Sequence, residues 1–168
     1  MIGHEASRFH VNMTQRRWNA ASIVVGNRLW VLGGCCGDDT SRTSEYVSIF
    51  DGIDSEVGPD LPIPISSSAA VSLNETTAMI INGARIVHRY KTFYYLHLTQ
   101  QWIPGPNLME HSMFTGGFGG FLKAGIITDQ ITLEDHVVVF GIHEMDENTS
   151  WNLQILENNQ WKIGIAVE

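Results

Sequence analysis

The chain of 168 residues holds only two cysteines, and they are neighbours, Cys35 and Cys36. Adjacent thiols cannot lace a fold together, so a disulfide scaffold is excluded, and a thiolate metal site would need further ligands at spacings the sequence does not offer. Charge is sparse and one-sided: 10 Lys and Arg stand against 18 Asp and Glu, a formal net charge of −8. That sign opposes a phosphate backbone, so nucleic acid is not expected as a partner. Long apolar runs are missing as well. Stretches such as 137–140 are strand-sized, far short of the roughly 20 residues of a membrane helix, and no membrane span is expected. The opening MIGHEASRFH lacks the basic flank and apolar centre of a secretory leader, which favours the cytoplasm. Three Asn-x-Ser/Thr triplets, at Asn12, Asn74 and Asn148, keep an extracellular origin as the alternative.

Catalytic signatures are equally scarce. There is no Gly-x-Ser-x-Gly elbow, no phosphate loop and no His-Glu-x-x-His. The run GGFGGF at 116–121 is glycine-rich, but it leads into an apolar strand pattern and no helix follows to hold a phosphate. The seven histidines show no ligand-like spacing. No catalytic residue, metal or cofactor is therefore expected, and the chain reads as noncatalytic.

What is present is punctuation that returns. Gly-Pro-Asp-Leu at 58–61 and Gly-Pro-Asn-Leu at 105–108 lie 47 residues apart, the length of a β-propeller blade repeat. No sustained i, i+3, i+4 apolar pattern occurs; β-branched and aromatic residues gather instead in short runs broken by Gly, Asn and Asp, the signature of an all-β chain. The first unit reads as strand 20–25, a two-residue turn at Gly26 and Asn27, strand 28–32 closing on Gly33 and Gly34, strand 45–50, and a short stretch ending at Gly58. The second repeats the order with 69–73, 77–81 closing on Asn82 and Gly83, 92–98, and Trp102 before Gly105. The third offers 121–127, 136–140 closing on Gly141, 151–156, and Trp161 three residues before Gly164. Its longer spacing predicts an insertion of about ten residues upstream of its second strand, in a hairpin loop.

The order WVLGG, then SEYVSIFD, then GPDLP, with Tyr46 in the aromatic position after the diglycine, resembles the kelch repeat. In the second unit Asn82-Gly83 stands for the diglycine and Trp102 for the conserved tryptophan position of the motif; in the third Gly141 and Trp161 do so. Ser55 replaces that tryptophan in the first unit, and Ile142 breaks the third doublet. The resemblance implies an all-β domain over 1–168, made of about three four-stranded kelch-type blades of an incomplete β-propeller, with approximate repeats 13–58, 59–105 and 106–165. It also implies a noncatalytic protein-interaction module, such as the substrate-recognition part of an adaptor. Two alternatives stand beside it: a remnant of a propeller oxidase, which would need tyrosine and histidine copper ligands, and an extracellular carbohydrate-binding propeller.

Closed propellers have 4–8 blades, so three units predict an apolar face left open at each end. Missing blades or self-association would complete the ring. Strands that alternate in direction put the loop after each second strand, and each connection between units, at one end of the array, where a protein partner would bind. Arg85, His88, Arg89 and Lys91 form a basic cluster there, with Arg42 and His111 on neighbouring loops. Such side chains suit a partner's carboxylates.

Overall fold

The computed structural model describes residues 13, 15–36, 43–81, 91–109, 122–145 and 148–164. Alternating apolar residues, as in Ala21, Ile23 and Val25 with serine and valine between them, give each strand a buried side at every second position. The described residues form three four-stranded antiparallel sheets and one two-stranded ladder. The ladder joins β1 (Arg17–Trp18) to β4 (Cys35–Cys36).

Sheet 1 runs β2 (Ala21–Val25), β3 (Arg28–Leu32), β5 (Val47–Phe50), β6 (Ser55–Val57). Sheet 2 runs β7 (Ala69–Asn74), β8 (Thr77–Ile81), β9 (Thr92–Leu96), β10 (Gln101–Pro104). Sheet 3 runs β11 (Lys123–Thr128), β12 (Asp135–Met145), β13 (Asn148–Glu157), β14 (Gln160–Ile163). Each is a plain meander in chain order. The first strands of the three sheets touch in sequence, β7 lying between β2 and β11.

Two apolar clusters fill the seams between sheets. Ile23, Trp30, Leu32, Val47 and Ile49 of sheet 1 meet Ala78, Ile80, Phe93 and Tyr95 of sheet 2. Val71, Met79 and Ile81 of sheet 2 meet Val139 and Trp161 of sheet 3. Since each strand buries residues of both parities only where a neighbour lies on both sides, β8 is buried almost throughout.

The repeated glycines have one structural job. The amides of Gly58, Gly105 and Gly164 donate to the carbonyls of Val47, Thr92 and Leu153 on the third strand of each sheet; Val47 and Thr92 begin that strand, and Leu153 lies within it, opposite Phe140. A Cβ at these glycines would lie 2.7 Å from Val47, 2.5 Å from Thr92 and 2.7 Å from Leu153. Only a residue without a side chain fits there. The tryptophans are equally regular: Trp102 pairs with Tyr95 and Trp161 with Leu156, and Ser55 takes the same register place opposite Phe50. The indole of Trp102 donates to the Pro59 carbonyl at 3.1 Å, and that of Trp161 to the Pro106 carbonyl at 2.9 Å. Each ring thus clasps the connection that leaves the preceding sheet.

Three expectations from the sequence need correction. β12 does not close at Gly141 but runs on to Met145, paired with β13 through the Met145 to Asn148 register. The loop expected after Gly141 is therefore strand as far as Met145. Cys35 and Cys36 are ladder residues paired with Trp18 and Arg17, where an open loop was expected. The extra length of the third unit is divided: β11 starts farther beyond Gly105 than β7 does beyond Gly58, and the β11 to β12 turn spans 129–134 where the other two first turns take two residues.

Candidate functional site

The meander topology sorts the connections into two populations. At one end lie the turns 26–27, 75–76 and 129–134 together with the third-to-fourth strand turns. At the opposite end lie the β3 to β5, β8 to β9 and β12 to β13 connections and both links between sheets. This loop-bearing end is where the sequence places the partner site. Lys91 is exposed there, immediately before β9. Arg42, Arg85, His88, Arg89 and His111 lie outside the described residues.

The described part of this end is closely tied. Gly33 and Gly34, both at positive φ, let the chain leave β3 beneath the link to sheet 2: the Gly34 amide donates to the Ile65 carbonyl at 2.8 Å, and Ile65 is 1% exposed. The Ile65 amide donates to the Ser44 carbonyl and that of Ser67 to the Asn19 carbonyl. Asn19 and Ser67 have nearly the same positive φ, 52° and 49°, each two residues before the first strand of its sheet. On this frame a loop keeps its position while its sequence changes.

Arg17 is a functional-looking side chain that the sequence did not single out for a site. Its guanidinium lies over the Tyr46 ring, 5.4 Å from the centroid, and donates to the carbonyls of Tyr46 and Val31 and to the Ser48 hydroxyl. Burial pulls its pKa below the ordinary arginine value, with Cys36 and Tyr46 acting in the opposite direction. An arginine half out of water still keeps its charge, so this constellation is an anchor for β1.

Two clefts of about 590 Å³ each open on the surface. One, on the outer side of sheet 1, is lined chiefly by Met13, Val24, Leu29, Val31, Phe50 and Asp51. Asp51 accepts the amides of Ile53 and Asp54 at 2.9 and 2.8 Å, which lowers its pKa. The other, at the turn end of sheet 3, is polar, with Asp129, Glu134, Asp135, His136 and Glu157. Asp129 is held ionised by the amides of Thr132 and Ile131, and Glu157 by Lys162. These carboxylates do internal work: Thr128 donates to Asp135, and Lys162 pairs with Glu157. Among the described residues, no group of three or more His, Cys, Asp and Glu side chains is arranged to hold a metal ion. Desolvation raises the pKa of Tyr94 and of Tyr95, the latter in tilted ring contact with both Trp30 and Trp102 in the first seam.

No helix among the described residues is long and apolar enough to cross a membrane. No protein-family model matches the chain, and no curated protein matches it. In three dimensions it is similar to the solved structure of YjhT, with a TM-score of 0.70 and 13% sequence identity over 95% of this chain and 58% of that one. The chain thus spans 58% of the length of that protein, and at this identity the likeness speaks for architecture: the fold is all-β and propeller-like.

Proposed function

We propose that the chain is a noncatalytic, kelch-type propeller segment that binds a protein partner through its loop-bearing end, in the manner of the recognition part of an adaptor. The observation that carries this reading is the asymmetry of the connections. In sheets 1 and 2 the first two strands are joined by two-residue turns at one end, whereas the longer β3 to β5 and β8 to β9 connections and the links between sheets lie at the other, on a backbone pinned by Gly34, Ser44 and Ile65. Rigid sheets bearing variable loops at one end are a recurrent binding design. The basic residues Arg85, His88, Arg89 and Lys91 fall in or beside one of those loops, in a chain whose net charge is −8. Against that background they favour an acidic protein surface.

The test is capture of partners from a cell extract by the purified chain, compared across variants. Arg85→Glu with Arg89→Glu removes the captured protein, and Glu75→Lys at the opposite end leaves it. Capture that survives the double exchange, or that is lost only with Glu75→Lys, refutes the reading.

A further inference from the structure

Large apolar side chains scattered singly over a surface need no explanation. Here the most exposed of them are not scattered. Among the described residues, Ile131, Leu98, Ile53 and Leu133 are 93%, 87%, 82% and 76% exposed, and all four lie in turns at one end of the array, opposite the loop-bearing end. Sheets 1 and 2 each offer one such tip, Ile53 between β5 and β6 and Leu98 between β9 and β10. Sheet 3 offers two, Ile131 and Leu133, in the single turn between β11 and β12.

That turn is firmly held. The Asp129 amide donates to the Glu134 carbonyl and the Leu133 amide to the Asp129 carbonyl, both at 2.9 Å, while the Asp129 carboxylate accepts the amides of Ile131 and Thr132, each at 2.7 Å. A turn fixed in this way loses little conformational freedom when something binds to it. It is also strained where its own fold gains nothing. Of the seven non-glycine residues at positive φ among those described, four are asparagines, two are Ser67 and Gln100, and the seventh is Leu133, at 60°. Asparagine is an ordinary occupant of that backbone and leucine a costly one. No packing offsets the strain, because the leucine side chain stands in water. An outlier that the fold does not explain points to a use outside the fold, and two adjacent apolar tips on a rigid turn have the character of a contact surface.

The surroundings select the occupant. The polar cleft of about 590 Å³ opens beside the turn, with Asp129, Thr132, Glu134, Asp135, Leu156 and Glu157 among its walls. Of its four carboxylates, Glu157 pairs with Lys162 and Asp135 accepts the Thr128 hydroxyl. Asp129 is held ionised by backbone amides, first that of Thr132, and the exposed Glu134 has no partner for its carboxylate among the described residues. With Lys162 and His136 as the basic groups nearby, negative charge is in excess. Such a surface repels an anionic membrane and attracts a segment in which lysine or arginine flanks an aliphatic side chain. We propose that the 129–134 turn and its cleft form a second protein-docking surface, on which Ile131 and Leu133 anchor an amphipathic partner segment whose lysine or arginine side chains pair with Glu134 and Asp129. The surface lies at the end opposite the one proposed above and stands whether or not that one binds.

The probe is a dye-labelled amphipathic peptide of leucine and lysine, followed by fluorescence anisotropy with the whole chain, beside the same peptide carrying glutamate for each lysine. The lysine peptide is expected to bind and the glutamate peptide not. Ile131→Asn with Leu133→Asn weakens binding roughly tenfold or more, and Glu134→Lys weakens it in a salt-dependent way. Leu98→Asn, an equal loss of an exposed apolar tip at the same end, leaves it unchanged. Folding stays separable from binding, because Leu133→Asn installs a residue that this backbone favours, so the variant melts no lower than the wild type. Absence of binding by the lysine peptide, equal binding of both peptides, or binding indifferent to the Ile131 and Leu133 exchange overturns the proposal. So does self-association in sedimentation, or adsorption to phosphatidylserine vesicles, that the same exchange abolishes, since either would give the turn a different occupant.

Discussion

Replacing Trp161 measures the second seam directly. The ring is 6% exposed, packs with Val71, Met79 and Val139, and donates to the Pro106 carbonyl. Trp161→Ala removes the ring and leaves a cavity, a loss of about 3–5 kcal/mol. Trp161→Phe keeps most of the packing and deletes one donor. Pro106 does not lose its last partner, because the hydroxyl of Thr92, 1% exposed, donates to the same carbonyl at 2.7 Å. The phenylalanine variant is therefore expected to cost only about 1 kcal/mol. Thr92→Val alone costs a similar amount, but the double variant strands the carbonyl, and its cost exceeds the sum of the two by about 1–2 kcal/mol. Urea unfolding followed by tyrosine and tryptophan fluorescence gives the free energies, and hydrogen exchange locates them: protection falls first in β11 to β14 while β2 to β5 stay protected. Alanine and phenylalanine variants that are equal within about 0.5 kcal/mol, or a strictly additive double variant, would refute the clasp.

Gly33→Ala is expected to cost about 2–4 kcal/mol, because it combines positive φ with a Cβ placed 2.6 Å from the Ile65 carbonyl oxygen, whereas Gly52→Ala meets open space and carries only the backbone strain of about 1–2 kcal/mol; thermal melts of the pair should separate them. Arg17→Met deletes the donors to Tyr46, Val31 and Ser48 and should cost about 1.5–3 kcal/mol in urea unfolding, with Arg17→Lys only partly rescuing it because an ammonium cannot reproduce the fork. Asp51 and Asp129 have depressed folded pKa values, first through the backbone amide of Asp54 and of Thr132 respectively. Their contribution is complete above the unfolded carboxylate pKa of about 3.9 and disappears as pH falls through the folded values. Asp51→Asn with Asp129→Asn should therefore flatten the acid limb of stability below about pH 4, and an unchanged limb would exclude these two carboxylates as its source.

Much of the architecture was legible because its signals are local. Gly26 and Asn27 both take positive φ in the turn the sequence marks, which matches the twist of the flanking strands. Trp102 and Trp161 occupy the same register place, and Ser55 substitutes at that place as the spacing required. Gly141 misled for a physical reason: a glycine can end a strand or merely weaken it, and here pairing with Asn152 carries β12 through it. The division of the third unit's extra residues between a turn and a link was invisible because spacing alone reports their sum. Arg17 escaped notice as a site because the acceptors that hold it, two carbonyls and Ser48, come from residues 14 to 31 positions away. The partner site was legible only as a placement of loops: of its six named side chains, Lys91 alone falls among the described residues.

Both tryptophan clasps point backward along the chain, from the last strand of one sheet to the proline that leaves the sheet before it. A polypeptide emerging from the ribosome therefore meets each lock before its key. Pro106 must wait for Trp161, 55 residues downstream, or about 3–11 s at ordinary elongation rates. During that interval sheet 2 has finished its own ladder yet shows one greasy flank to the cell, so the moment of greatest exposure to chaperones is set by the direction of synthesis.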